Sequence, residues 1–279
     1  MPGYTQSDVR LFADDSLLYR EISNAKDTEQ LQKDLEALEN WEKTWMMRFN
    51  PTKCNIIRIP PKNKEPIQYP YTLHGHILEP VDSAKYLGVS ISNNLSWNKH
   101  IQSVTAKGNR TLGFVKRNLK ECTRKVKAAG YTTLVRPVIE YASTIWDPTN
   151  QASINTLELI QRRAARFVYN DYTSRTPGCV TTMLEDLKWD TLQTRRRDNR
   201  LCMLYRIQNE LIDINKSTYL KGGDSRTRGG HKFYQQRVTS DVYRNSFFPR
   251  TIMEWNTLPA RVAEAGSVED FRSGLQTTH

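Results

Sequence analysis

Two apolar runs bracket a short polar centre near the start of the chain. Val9-Arg10-Leu11-Phe12 leads into Ala13-Asp14-Asp15, and Ser16-Leu17-Leu18-Tyr19 leads out. Such bracketing predicts a tight, buried β-hairpin with both aspartates at its tip. Beyond it the interval changes. Leu31, Leu35, Leu38, Trp41 and Trp45 recur at helical spacing, with Glu29, Glu36, Glu39 and Glu42 mostly on the other face. Asp27 with Gln30 reads as the N-cap and capping box of that helix. Asn50-Pro51 stops it, and Asn55 to Ile59 reads as a strand. Pro60 to Pro66 is a loop by composition. Tyr71 to Leu78 predicts a short strand pair. Ala84 to Ile91 predicts a further strand, in which Gly88 marks a bulge or a close backbone approach.

From Ser96 to Ile212 the intervals are helical. Ile101, Val104, Leu112, Val115 and Leu119 mark one helix, weakened by Gly108 and Gly113. Thr123 opens another through Val126, Tyr131, Leu134 and Val138, which Pro137 should kink because proline donates no backbone hydrogen bond. Ile154, Leu157, Ile160, Ala164, Phe167 and Val168 form a third stripe, followed by Leu184 to Leu192 and by Leu201 to Leu211. Ser267 with Asp270 caps a last short helix holding Phe271 and Leu275. The pattern predicts an α+β chain. A hairpin, a helix and short antiparallel strands occupy 1–92, and a mainly helical basic region 93–212. A carboxy-terminal extension follows over 213–279, with a flexible basic loop at Lys221 to His231.

With 279 residues the chain suffices for one large domain or two small ones. No apolar run approaches the length of a membrane span, and Met1-Pro2-Gly3-Tyr4 has neither the basic start nor the apolar core of a signal peptide. The net charge of +11 is unevenly placed. Residues 1–50 hold 6 Lys/Arg and 10 Asp/Glu, whereas the remainder hold 35 and 20. A basic body behind an acidic head suggests a polyanionic partner, though a merely soluble basic protein has the same balance. Arg162, Arg163, Arg166, Arg195, Arg196, Arg197 and Arg200 are candidates for phosphate contact, because guanidinium forks match phosphate geometry. A solvated helix face with acidic partners is the plainer account of each. Cys54, Cys122, Cys179 and Cys202 lie far apart, as reduced thiols of an intracellular protein do, nuclear or cytoplasmic. His74 and His76 alternate without a cysteine pair, which argues against a zinc site.

The adjacent carboxylates of Asp14 and Asp15 repel, and a cation between them relieves the repulsion. Hard oxygen ligands suit Mg²⁺, which takes further ligands from water and substrate phosphates. An ordinary turn explains the same pair. Phe12-Ala13-Asp14-Asp15 between two strands resembles the metal-binding hairpin of reverse transcriptases. The form with Phe first resembles that of the non-LTR, LINE-type, jockey-like retrotransposon enzymes. The turn from Asn50 to Lys53, Tyr86-Leu87-Gly88-Val89, and Trp255-Asn256-Thr257-Leu258-Pro259 with Phe271-Arg272 resemble other parts of the same family. The likeness thus runs from Val9 to about Leu275.

The resemblance implies an RNA-directed DNA polymerase, with part of its palm over 1–92 and thumb-like helices over 93–212. It implies Asp14 and Asp15 as Mg²⁺ ligands and Lys53 as a contact to the incoming phosphates or a proton donor to pyrophosphate. Tyr86 and Gly88 would lie near the primer end. Template–primer, RNA and DNA, and deoxynucleotide triphosphates are the implied partners of an intact parent, with no membrane involved. Family members carry fingers and another metal-binding aspartate upstream, whereas only Met1 to Asp8 precede the hairpin here. The chain is therefore expected to be a carboxy-terminal part. It is also expected to be inactive alone, since two-metal phosphoryl transfer needs ligands on both sides of the reacting phosphorus. The alternative is a non-catalytic basic module that binds RNA or template–primer.

Overall fold

The computed structural model describes residues 3–61, 64–223, 230–238 and 240–277. They divide into two compact units, Met1–His100 and Ile101–His279.

In the first unit, β1 (Asp8–Phe12) and β2 (Asp15–Tyr19) pair antiparallel, with Asp8 opposite Tyr19 and Phe12 opposite Asp15. Ala13-Asp14 is the two-residue turn, with Ala13 at φ +52°. A positive φ here lets the turn twist with the strands it joins. The hairpin forms as expected, but it is not buried: Leu11 is 46% and Phe12 64% exposed. Helix α1 (Ala25–Trp45) is capped by Asn24, whose side chain accepts from the Lys26 and Asp27 amides. The Asp27 carboxylate in turn accepts from the Ser23 and Asn24 amides at 2.9 and 3.1 Å. The capping box thus sits three residues before the expected one, because a short amide side chain at the cap leaves Asp27 free to reach back.

Strand β3 (Asn55–Ile56) is shorter than expected and pairs parallel with β6 (Glu79–Pro80). Between them β4 (Thr72–Leu73) and β5 (His76–Ile77) form the expected strand pair, turning through His74 and Gly75, both at positive φ. The strand expected over Ala84 to Ile91 is a second hairpin. β7 (Ser83–Tyr86) and β8 (Val89–Ser92) join through Leu87 at φ +45° and Gly88 at φ +82°. Gly88 is therefore a turn residue and not a bulge. Among the described residues the strands make four separate two-stranded pairings and no wider sheet. The α+β class holds at that level. The small core gathers Tyr71, Leu73 and Leu78 against Leu31 and Leu35 of α1.

The second unit is helical. Its first helix, α2 (Asn98–Asn118), buries Leu112 and Val115. Thr123 caps α3 (Arg124–Gly130). Tyr131 to Val135 then winds as a π-helical turn, and α4 (Arg136–Glu140) resumes the chain direction. The expected disruption at Pro137 takes this form because proline withholds the amide that would continue the ladder. One short turn, α5 (Ser143–Trp146), precedes α6 (Gln151–Tyr169), α7 (Cys179–Asp186) and α8 (Leu192–Gln208). At Gly108 α2 packs closely on its neighbours: a Cβ there would lie 2.5 Å from Ile139 Cγ2 and 3.1 Å from Ile160 Cδ1.

A core of Leu201, Leu204, Tyr205, Trp255, Phe271 and Leu275 packs α8 against the Phe247–Trp255 and Val268–Gln276 helices. Trp255 is 1% exposed, and its indole N–H donates to the His231 carbonyl at 2.9 Å. Aromatic residues beyond the expected 212/213 boundary thus pack into the core of α8. Ser267 caps the last helix as expected, accepting from the Asp270 amide at 3.0 Å. Of the loop expected to be flexible, residues 224–229 lie outside the described ones.

Candidate metal-binding hairpin and nucleic-acid interface

The hairpin is held at its root rather than along its strands. Asp34, 2% exposed on α1, accepts from the Gln6 and Ser7 amides at 3.0 and 2.8 Å and from the Ser7 hydroxyl. Gln30 Nε2 adds a fourth bond at 3.1 Å. Burial on its own raises a carboxyl pKa, but the bonds from the Ser7 hydroxyl and the two amides outweigh it and hold Asp34 below its ordinary value. The signal for this anchor was present in the sequence: a carboxylate between Leu31, Leu35 and Leu38 lies on the apolar side of α1. Glu42, 5% exposed on the same side, pairs with His74 Nε2 at 2.5 Å and accepts from the Phe49 amide. It ties the end of α1 to the β4–β5 turn.

At the far end of the hairpin Asp14 occupies the turn and Asp15 opens β2, and both are exposed. Among the described residues no group of three His, Cys, Asp or Glu side chains is placed to hold a metal ion. The donors brought together are two neighbouring carboxylates, which do not fit a two-metal centre. Lys53 closes the Pro51–Lys53 turn and is exposed. Among the described residues no hydrogen bond or ion pair joins it to either aspartate. Tyr86 is the half-buried last residue of β7, and Gly88 is an exposed residue of the β7–β8 turn.

The candidate arginines separate into two groups. On α8, Arg196 and Arg200 are 0% and 2% exposed. Arg196 Nε donates to Asp147 Oδ1 at 2.7 Å, Arg200 Nε to Asp147 Oδ2 at 3.1 Å, and Arg200 Nη2 to Glu254 Oε1 at 2.9 Å. Arg250 completes the cluster through Asp147 Oδ2 at 3.0 Å and the Asp147 carbonyl at 2.9 Å. Arg195 forks onto Glu140 at 2.5 and 2.9 Å, and this partner holds its pKa above the ordinary value. Arg197 is half-buried. Arg195, Arg196 and Arg200 therefore depart from the expected phosphate-facing row: their carboxylate partners lie some fifty positions away in sequence, where spacing cannot show them.

On α6, Arg166 spends its fork on the Asp171 and Ser174 carbonyls at 3.2 and 3.0 Å. Arg162 and Arg163 are exposed. Arg163 Nη1 donates to Asn109 Oδ1 of α2 at 3.0 Å, so cations of α6 stand beside α2. The helix α2 is itself basic, although it contains no arginine run. The helix holds five Lys/Arg and no acid, and residues 119–127 after it add four Lys/Arg and one acid, Glu121. Those cations stand singly or in pairs and in no longer run.

Comparison with known proteins agrees with the resemblance read from the motifs. The chain is 28% identical over 186 residues to the probable RNA-directed DNA polymerase from transposon BS of Drosophila melanogaster, covering 65% of this chain and 20% of that protein. It is 27% identical over 180 residues to the RNA-directed DNA polymerase from mobile element jockey of Drosophila funebris, 59% of this chain and 18% of that one. To the probable RNA-directed DNA polymerase from transposon X-element of Drosophila melanogaster it is 23% identical over 198 residues, 68% and 21%. No family model matches, and no solved structure does. The chain spans about a fifth of the length of the curated relatives it matches. It is related to the polymerases of mobile elements. Within that class it is similar to jockey-like, non-LTR retrotransposon enzymes.

Proposed function

We propose that the chain is part of a retrotransposon RNA-directed DNA polymerase, with 1–92 contributing to the palm and 93–212 to a thumb-like region. The observation that carries this reading is the Phe12-Ala13-Asp14-Asp15 tip. Two exposed carboxylates stand on a two-residue turn, in a chain whose relatives are RNA-directed DNA polymerases. In the longer protein Asp14 and Asp15 would hold Mg²⁺, which neutralises charge on the triphosphate of the incoming nucleotide. This chain's own part is to present both carboxylates from a hairpin rooted on Asp34. Lys53, Tyr86 and Gly88 serve the nucleotide and the primer end in the same reading. With two carboxylates at the tip, the chain does not polymerise by itself. A primer-extension assay with Mg²⁺ and deoxynucleotide triphosphates tests this. No extension is expected, and robust extension abolished by Asp14→Asn would show that the chain is active alone.

A second reading has its own observation. The charge of α2, uncompensated along the helix, suits a non-catalytic module that grips RNA or template–primer. Salt-dependent binding that survives Asp14→Asn supports it.

A further inference from the structure

We propose that α2 carries a single-strand binding stripe in which Phe114 stacks on a base while Lys107, Arg110 and Arg117 hold the flanking phosphates. The inference rests on the nucleic-acid reading of the second unit and gives it a place and a substrate class. Positions 107, 110, 114 and 117 follow one another at three- and four-residue steps, so they share one face of α2. All four are exposed, Phe114 to 53%. Among the described residues none of the three cations makes a side-chain hydrogen bond or ion pair, in contrast to the α8 arginines. The whole of α2 holds no Asp or Glu.

Nearby acids are already engaged. Asp171 accepts from the Thr173 and Ser174 amides at 3.2 and 3.0 Å. Asp186 accepts from the Tyr169 hydroxyl at 3.3 Å, and Glu121 lies 3.5 Å from Lys120. Arg162 and Arg163 of α6 extend the positive field, since Arg163 is bonded to Asn109 of α2.

Aromatic geometry selects Phe114 over its neighbours. The Arg124 guanidinium lies 4.5 Å from the Tyr169 ring centroid, and the Lys116 ammonium 5.6 Å from that of Tyr172. Lys127 covers Phe167 in the same way at 5.1 Å. Those rings have a cation over one face. Phe114 stands between two cations one turn away on either side, the arrangement that places a stacking ring beside phosphate contacts. A strand whose bases are unpaired can use both, whereas a duplex offers the phosphates alone. The chemistry shared by DNA and RNA is a phosphodiester chain with free base faces.

The test uses the full chain and fluorescein-labelled 20-nucleotide oligo-deoxythymidine and oligo-uridine, with a mixed-sequence DNA duplex as the third arm, followed by anisotropy across a salt series. Phe114→Leu should weaken single-strand binding roughly tenfold and leave the salt slope unchanged. The triple variant Lys107→Gln, Arg110→Gln, Arg117→Gln should lower that slope by about 2, near 0.7 per lost single-strand phosphate contact. The equally charged control Arg237→Gln, Arg244→Gln, Arg261→Gln should not. Relative affinity for the two single strands identifies the sugar preferred. Binding that persists in both stripe variants overturns the placement and leaves the nucleic-acid reading standing. A duplex bound more tightly than either strand overturns the substrate class. Absence of binding by the unaltered chain at low salt overturns both. All these side chains are exposed, so circular dichroism and melting identical to the parent are expected and exclude unfolding as the cause.

Discussion

Asp147 gathers three guanidiniums inside the second unit. Its carboxylate is 3% exposed and receives Arg196 Nε at 2.7 Å, Arg200 Nε at 3.1 Å and Arg250 Nη2 at 3.0 Å. Asp147→Asn keeps the volume and removes the charge. The cluster of three guanidiniums and two carboxylates then becomes three against Glu254 alone, and its buried net charge rises from +1 to +2. Loss of one partner from a buried ion pair costs about 3–5 kcal/mol, chiefly because the opposite charge is left without compensation. For a unit of this size about 4 kcal/mol lowers Tm by roughly 8–16 °C. Arg196→Met is the informative contrast. Both terminal nitrogens of Arg196 lack a hydrogen-bond partner, so this cation brings the cluster less than it costs in desolvation. Its removal also takes the buried net charge to zero, and the loss should be under about 2 kcal/mol. Urea and thermal melts of both variants, followed by circular dichroism, measure the difference. A loss below about 1 kcal/mol for Asp147→Asn, or a larger loss for Arg196→Met, would refute the account of Asp147 as the keystone.

Asp34 gives a pH signature to the first unit. Its folded pKa lies below the ordinary value, so its contribution is complete above about pH 4 and is lost as pH falls through the folded value. Asp34→Asn should cost about 1–3 kcal/mol at neutral pH and flatten the acid limb of the stability profile, which melts between about pH 2 and 7 would show. An unchanged acid limb would contradict the anchoring role. The two α2 glycines should respond oppositely to alanine. Gly108→Ala forces a Cβ to 2.5 Å from Ile139 and should destabilise by about 1–3 kcal/mol, whereas at Gly113 the first neighbour is Arg117 Nη1 at 3.5 Å and alanine should stabilise by about 0.5–1 kcal/mol. Chemical denaturation of the two variants checks the sign.

The legible parts of the molecule were those specified by neighbours in sequence. The β1–β2 hairpin followed from apolar runs on either side of a two-residue turn, the β4–β5 pair from the residues around His74-Gly75, and the last helix from Ser267 with Asp270. Errors arose where a local signal had two outcomes. Asn24 and Asp27 both suit a cap, and the earlier one wins because its side chain and Asp27 satisfy each other reciprocally. Leu87-Gly88 reads as strand interior until Leu87 is seen at positive φ, which only the hairpin makes favourable. Long-range chemistry was the least legible. Nothing near Arg196 or Arg200 announces Asp147 and Glu254, and a buried cation looks like an exposed one until its partner is known. The tip aspartates stand in a legible motif, whereas Lys107, Arg110, Phe114 and Arg117 share a face of α2 without any two of them adjoining in sequence.

The Asp147 cluster also decides what connectivity means in the second unit. α8 ends at Gln208, and the Phe247–Trp255 helix begins nearly forty residues later, yet Arg200 and Glu254 meet across that interval at 2.9 Å. With Leu204, Tyr205 and Trp255 packed beside them, these two segments are joined by their side chains as well as by the backbone. What lies between Gln208 and Phe247 is anchored to the same core through Leu220 and Phe233, so its length can change at little energetic cost only where those two residues and the ion pair keep their places.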